Sequence, residues 1–405
     1  MKTVERYRSY GFNYSGYILE SLSSKELFPD YIKEETQSAI ERIKSHQKEG
    51  STGFVFMADQ HYLPSENHDI RLQRTLNAYR LIAEKCGIDT LVLGGDYTID
   101  GDKDHKAFFF RELCKILHGK WDLPGGPNQQ SAAGLSEAAE AVVYHRDTPY
   151  LPVHGNHDDG TIWDKVMVPN EKSVNYLTHE ELYTLFYDHL PDLGAVMGEE
   201  PGALYYYYDD KASRTRYICL DSGDIPYIYE DGKLKYLGQD CFAMSQKQVD
   251  WLVHKALCFE ESDYGVVFVI HSLPNADISE KAVVSQKELA FLTELIDCYK
   301  KGENLNCHYN DGDFTLHVEA DFEHMVRGDV IGVFMGHYHA DRIGYTPAGV
   351  PLIATGCAGM HSNPNNIRRD GDKSELLFDV VTVDRKEKKI YITRVGCGED
   401  RVVRY

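Results

Sequence analysis

Seven side chains of metal-binding type, set in five short motifs, dominate the chemistry this sequence could perform. They are Asp59 and His61 in Asp59-Gln60-His61, Asp96 in Gly94-Gly95-Asp96, Asn156 in Gly155-Asn156-His157-Asp158, the lone His271, and His337 and His339 in Gly336-His337-Tyr338-His339. Oxygen and imidazole donors of this kind hold divalent ions such as Mn, Fe, Zn, Ni or Co, and the set is large enough for two of them. A catalytic pair needs one carboxylate to bridge it and offset its internal repulsion. Asp96 is the candidate bridge. Two divalent ions bring +4, Asp59 and Asp96 bring −2 and a bridging hydroxide −1. About +1 is left to receive an anionic substrate.

Positioning these donors requires a framework, and each motif follows a short apolar run: Phe54-Val55-Phe56-Met57, Leu91-Val92-Leu93, Leu151-Pro152-Val153, then residues 266–270 and 330–335. Runs this short and rich in Val, Ile and Phe read as buried strands. Donors just beyond such strands converge on one sheet edge, where open α/β folds place their sites. Helical spacing predicts helices over about 31–47, 69–86, 105–118, 135–146, 178–189 and 245–257, with Ser245 and Gln248 at capping-box spacing. Strands are also expected near 204–208, 215–221, 341–346, 351–355, 376–384 and 389–395. The late ones alternate apolar and polar residues, as suits a sheet covered on one face. The run Tyr205 to Tyr208 should split between two faces and serve packing.

Segments 160–245 and 300–322 read as insertions, and 121–128 as a surface loop; Asn310-Asp311-Gly312-Asp313 is turn chemistry. No internal repeat or linker divides the chain. The expected organisation is an N-terminal helical extension, 1–50, packed on a catalytic domain, 51–405. His154, His361, Arg368 and Arg369 also lie near the motifs, but packing, turn composition and surface charge account for them.

Composition limits the partners. With 64 acidic against 43 basic residues the formal charge is −21, which repels polyanions and makes long nucleic acid an improbable partner. The densest basic run, 385–389, reads as a solvated hairpin turn. Nine scattered cysteines without a Cys-x-x-Cys pair suit reduced thiols. No run approaches the roughly 18 apolar residues of a membrane helix, and no apolar signal core follows Met1. A soluble cytoplasmic protein is expected; the oligomeric state is left open.

The order Asp-x-His, Gly-Asp, Gly-Asn-His-Asp, His, Gly-His-x-His resembles the calcineurin-like metallophosphoesterase superfamily, over the span from Phe54 to about Thr355. The resemblance implies a four-layer αββα sandwich with two central mixed sheets and a metal site at the loop ends. It implies one metal on Asp59, His61, Asp96 and His339, and a second on Asp96, Asn156, His271 and His337. It also implies hydrolysis of a small phosphomonoester or phosphodiester by a metal-bridging hydroxide. His157, at the rim beside Asn156, would assist the leaving group, with Asp158 or Asp100 orienting its ring. Protein serine/threonine phosphatases of the superfamily carry an Arg after the second motif that Gly95-Asp96-Tyr97-Thr98-Ile99-Asp100-Gly101 lacks. Purple acid phosphatases carry Gly at the position of His61 and Tyr at that of Ile99. The remaining pattern, with Gln248-Val249-Asp250-Trp251-Leu252 ahead of the fourth motif, is similar to the bacterial cyclic-nucleotide-phosphodiesterase-like branch. The alternatives are a nuclease of the same superfamily and a metal-free scaffold.

Overall fold

The computed structural model describes residues 24–118, 149–162, 175–273, 278, 289–359 and 367–405. The expected helix at 135–146, the loop at 121–128 and His361 lie outside them.

Two large mixed sheets face each other. The first runs β17-β16-β15-β1-β2-β3, with β1 (Thr52–Met57), β2 (Leu91–Leu93), β3 (Tyr150–Pro152), β15 (Leu377–Asp384), β16 (Lys389–Gly396) and β17 (Arg401–Arg404). Strands β1, β2 and β3 are parallel, and β15 to β17 continue antiparallel from β1. The second sheet runs β13-β14-β12-β9-β6-β5-β4. Its strands are β4 (Val196–Met197), β5 (Tyr206–Asp210), β6 (Thr215–Leu220), β9 (Gly265–Ile270), β12 (Asp329–Met335), β13 (Arg342–Tyr345) and β14 (Pro351–Ala354). Here β6, β9, β12 and β14 are parallel. A small pair, β7 (Tyr229–Glu230) and β8 (Lys233–Leu234), lies apart.

Alternation along the strands builds two cores. Val267 and Val269 of β9 join the core between the sheets, whereas Val266, Phe268 and Ile270 face outward into a second core. Phe54 meets Tyr217 and Phe334 edge to face across the inter-sheet gap. Tyr205 to Tyr208 divide as expected: Tyr206 and Tyr208 go to the first core, Tyr205 and Tyr207 to the second. Helices α1 (Asp30–His46), α2 (Glu66–Cys86) and α3 (Lys103–His118) cover the first sheet. The outer core of the second sheet takes in α4 (Gln246–Trp251), which continues as a π-helical turn, Leu252–Ala256, and α5 (Ala290–Lys301). The result is the αββα sandwich expected.

Three local expectations change. Strand β15 is buried along its whole length, because α1 packs over β15 and β16; the one-sided alternation expected of the late strands survives in β13, where Arg342 and Tyr345 are exposed. Residues 300–322 are not merely a loop. They hold a hairpin of β10 (Leu305–Asp311) and β11 (Phe314–Ala320), paired along its length, with the turn chemistry confined to its tip. The Ser245 hydroxyl does cap α4 by accepting from Gln248 N at 3.2 Å. The side chain of Gln248, however, does not return the bond. It is fully buried and clamps the backbone after β6, accepting from Asp221 N at 2.9 Å and donating to Asp221 O at 2.9 Å.

Candidate metal centre

Every candidate donor leaves the carboxyl end of a parallel strand. Asp59 and His61 follow β1, Asp96 follows β2, Asn156 and His157 follow β3, His271 follows β9, and His337 and His339 follow β12. The first two loops are zipped together by Asp59 N donating to Gly95 O and His61 N to Asp96 O, at 2.9 and 3.0 Å.

The backbone here is strained. Among the described residues eight non-glycine residues have positive φ, and five of them are Asp59 (57°), His61 (43°), Asp96 (56°), His337 (67°) and His339 (51°). Each such conformation costs on the order of 1–2 kcal/mol. The concentration of that strain on candidate donors is a structural sign of function independent of residue type. Gly95 and Gly155 permit the crossing. A Cβ on Gly155 would fall 2.0 Å from Asp96 N, and one on Gly95 (φ 91°) would fall 2.5 Å from His271 Nδ1.

The side chains form two clusters that share Asp96. Donor atoms of Asp59, His61, Asp96 and His339 lie within 4.8 Å of one another, as do those of Asp96, His271 and His337. Asn156 joins the second: its Oδ1 is 2.9 Å from His271 Nε2 and 2.9 Å from His337 Nδ1. The Asp96 Oδ1 atom accepts from His157 N at 2.8 Å, leaving Oδ2 between the clusters, 3.3 Å from His271 Nε2 and 3.8 Å from His61 Nε2. One oxygen therefore faces both. In the first cluster His61 Nε2 and His339 Nε2 point at each other at 3.0 Å, and His339 Nε2 is 3.3 Å from Asp59 Oδ1.

This donor set fits divalent ions. His271 Nδ1 donates to Gly94 O at 2.7 Å, which fixes the ring and leaves Nε2 to face Asn156 and Asp96. Such an outer hydrogen bond is what metal-binding imidazoles ordinarily carry. Facing lone pairs at these separations need a cation or a proton between them. Burial pushes the pKa values of His61 and His337 down to about 4, so both rings are neutral at neutral pH, the form a metal ligand requires. Burial also opposes charge on His271, but the Asp96 carboxylate outweighs it and raises the ring to about 9. A cation and a proton would therefore compete there.

His157 stands at the rim with its side chain 22 % exposed, and its Nδ1 donates to Asp100 Oδ1 at 2.6 Å. Burial disfavours the imidazolium, yet the bond to Asp100 and the charge of Asp96 raise its pKa overall. Asp158 does not join that ring. Its buried carboxylate accepts from Asp96 N (3.0 Å), Tyr97 N (2.8 Å) and Gly155 N (2.9 Å), clipping the second loop to the third. Burial, then the Asp96 charge, pushes it up to about 6.

Two residues take roles the sequence did not reveal. Lys106 of α3 is fully buried beneath the second loop and donates to Thr98 Oγ1 at 2.7 Å; an amphipathic helix pattern gives no signal for it. Arg368 is neither surface charge nor poised for an anion. It is buried and donates to the carbonyls of Cys357 (2.8 Å) and Gly359 (3.2 Å), stapling the loop after β14. A cavity lies at the opposite ends of the strands, beside Thr52, Thr90 and Arg385, away from all these donors.

The chain shares its fold with a dimetal phosphatase. That crystal structure, from Danio rerio, aligns with a TM-score of 0.50 at 13 % identity over 87 % of this chain and 99 % of that one. A 5'-nucleotidase from Candida albicans SC5314 aligns with a TM-score of 0.37 at 12 % identity, over 82 % of this chain and 47 % of that one. No protein-family model and no curated protein matches the sequence. Likeness at this identity speaks for the fold; the chemistry must be argued from the side chains.

Proposed function

We propose that the chain is a dinuclear metal-dependent phosphoesterase acting on a small phosphomonoester or phosphodiester. The observation that carries the reading is Asp96 Oδ2, a single carboxylate oxygen facing both donor clusters. Asp59, His61, Asp96 and His339 would hold one ion, and Asp96, Asn156, His271 and His337 the other. Bound divalent ions lower the pKa of water toward about 7 and offset charge on the phosphoryl oxygens.

The chain's own residues supply the remaining work. With Nδ1 committed to Asp100, His157 presents Nε2 as the nitrogen able to reach a substrate at the rim. Asp100 stabilises the protonated ring, so His157 enters the reaction as an acid. As the bond from phosphorus to the leaving oxygen breaks, the Nε2 proton passes to that oxygen and the leaving group departs as a neutral alcohol. Asp158 acts beneath the site by fixing the backbone of Asp96 and Gly155.

The dimetal phosphatase likeness agrees with phosphate-ester chemistry but names no substrate. The bacterial cyclic-nucleotide-phosphodiesterase-like branch remains our preferred placement, on Ile99, the missing Arg and the Gln248 to Leu252 segment. No described helix is long and apolar enough to cross a membrane, and none of the nine cysteines is in a disulfide. The test is turnover of an aryl phosphomonoester and an aryl phosphodiester with and without added Mn²⁺, for the natural chain and Asp96→Asn. Metal-dependent turnover lost in the variant is expected. Turnover indifferent to both metal and Asp96 would refute the assignment.

A further inference from the structure

A second group of ligand-type side chains lies behind the third motif loop and takes no part in the chemistry above. His154 follows β3, Asp221 follows β6, and His179 opens the short helix His179–Leu182. Donor atoms of the three lie within 4.8 Å of one another. The rings of His154 and His179 meet edge to face at 5.5 Å.

Both imidazoles carry an unsatisfied nitrogen. His154 is 1 % exposed, its Nδ1 donates to Asp221 Oδ1 at 3.0 Å, and its Nε2 is shielded from solvent with no hydrogen-bond partner. The Nε2 atom of His179 is likewise shielded and unpartnered. Changing the protonation of either ring does not help: Nε2 becomes a buried N–H without an acceptor instead of a buried lone pair without a donor. Each orphan costs roughly 1–3 kcal/mol, so that of His179, beside the His154–Asp221 pair, calls for an occupant.

The surroundings select its charge. Asp221, Asp158 and Asp159 are all buried, and the carboxylates of Asp159 and Asp158 act on His154 together with Asp221. The buried cation Lys106 is shared among Asp158, Asp100, Asp96 and Asp159. An ion replacing the proton between His154 Nδ1 and Asp221 Oδ1, 3.0 Å apart, would take one donor from each, with His179 supplying the third. The three residues come from three separate elements, and the position of each is set by other bonds. Gly223 N donates to Asp221 Oδ1 at 2.7 Å, His179 N donates to Tyr227 Oη at 3.1 Å, and Thr178 with Glu181 closes a capping box over the His179 helix.

We propose a third metal site on His154, His179 and Asp221, taking a divalent ion with tetrahedral nitrogen and oxygen preference, for which Zn²⁺ is the best match. Its role is structural. Only Gly155 separates His154 from Asn156, so an ion here ties the loop bearing Asn156 and His157 to the end of β6 and to the 179–182 helix. Donors around such an ion stand about 3.3 Å apart, so a small closing movement of His179 completes the site.

The experiment counts metal. The full chain is stripped with chelator, dialysed against Zn²⁺ and quantified, alongside His179→Gln, Asp96→Asn and the double variant. His179, only partly buried and at a helix start, is the substitution least disruptive to folding; circular dichroism checks each chain, and Asp221→Asn serves if His179→Gln misfolds. The expected result is one Zn²⁺ fewer on His179→Gln in both backgrounds, with aryl phosphate hydrolysis retained where Asp96 is intact. Because the difference is read in the Asp96→Asn background as well, it stands or falls separately from the dinuclear centre. An unchanged count in both backgrounds overturns the proposal and leaves water as the occupant.

Discussion

Replacing Asp100 by Asn isolates the acid role proposed for His157 without touching any candidate metal donor. The bond at stake is a 2.6 Å contact from His157 Nδ1 to Asp100 Oδ1. Hydrogen bonds to a charged partner are worth about 1.5–3 kcal/mol. The Asp100 side chain is 41 % exposed, so water competes and the lower figure applies. At about 1.4 kcal/mol per factor of ten, Asp100→Asn should lower kcat about tenfold. His157→Ala, which removes the acid altogether, should cost about 10²–10⁴-fold. The assay is steady-state hydrolysis of two esters differing only in leaving-group acidity, nitrophenyl and phenyl. A good leaving group needs no proton, so both variants should be less impaired on the nitrophenyl ester. Asp100→Asn should add nothing once His157 is Ala, because the two act as one unit. Metal content should be unchanged throughout. Independent, multiplying losses, or equal losses on both esters, would refute the acid assignment.

Gly155→Ala should misplace Asp96, since its Cβ would fall 2.0 Å from Asp96 N and 2.4 Å from Asp96 Oδ1; a shift of about 1 Å predicts at least a 100-fold loss of kcat/KM, measured with metal in excess. Asp379, buried between Arg394 (2.9 Å) and Arg401, is opposed by burial but held well below the usual carboxylate range by the two guanidinium groups. Its contribution is therefore fully present above the unfolded pKa of about 3.9 and is lost as pH falls below it. Urea unfolding of the metal-free chain should show stability dropping below pH 4. Asp379→Asn should remove that part of the dependence and cost about 3 kcal/mol at pH 7, the low end for a broken buried pair, because Asp341 still accepts from Arg394 at 3.0 Å.

The strand-end placement of the candidate donors was the most legible part of the sequence. Each candidate donor sits just past an apolar run too short for a helix and rich in Val, Ile and Phe, so converging strand ends follow from local pattern. The partner of His157 was not legible: Asp158 is adjacent in sequence and Asp100 is 57 residues away, and only the approach of the second loop to the third decides between them. Strand β15 looked half-exposed because Thr382 and Asp379 interrupt its apolar residues. Both are buried, Asp379 because arginines from β16 and β17 meet it there. The β10–β11 hairpin was hidden by the Asn and Gly residues at its tip, which outweighed the alternation of Phe314 to Ala320. The positive φ angles at five candidate donors are only faintly written in the sequence: Asp and His are enriched in the left-handed region, yet most described Asp and His residues lie outside it.

The most direct test of the dinuclear centre is an anomalous-difference map from crystals of the chain grown with Mn²⁺. Two peaks are expected, one among Asp59, His61 and His339 and the other among Asn156, His271 and His337, with Asp96 between them. A map with no peak, or with a single peak that does not involve Asp96, would contradict the reading of that carboxylate as the shared ligand.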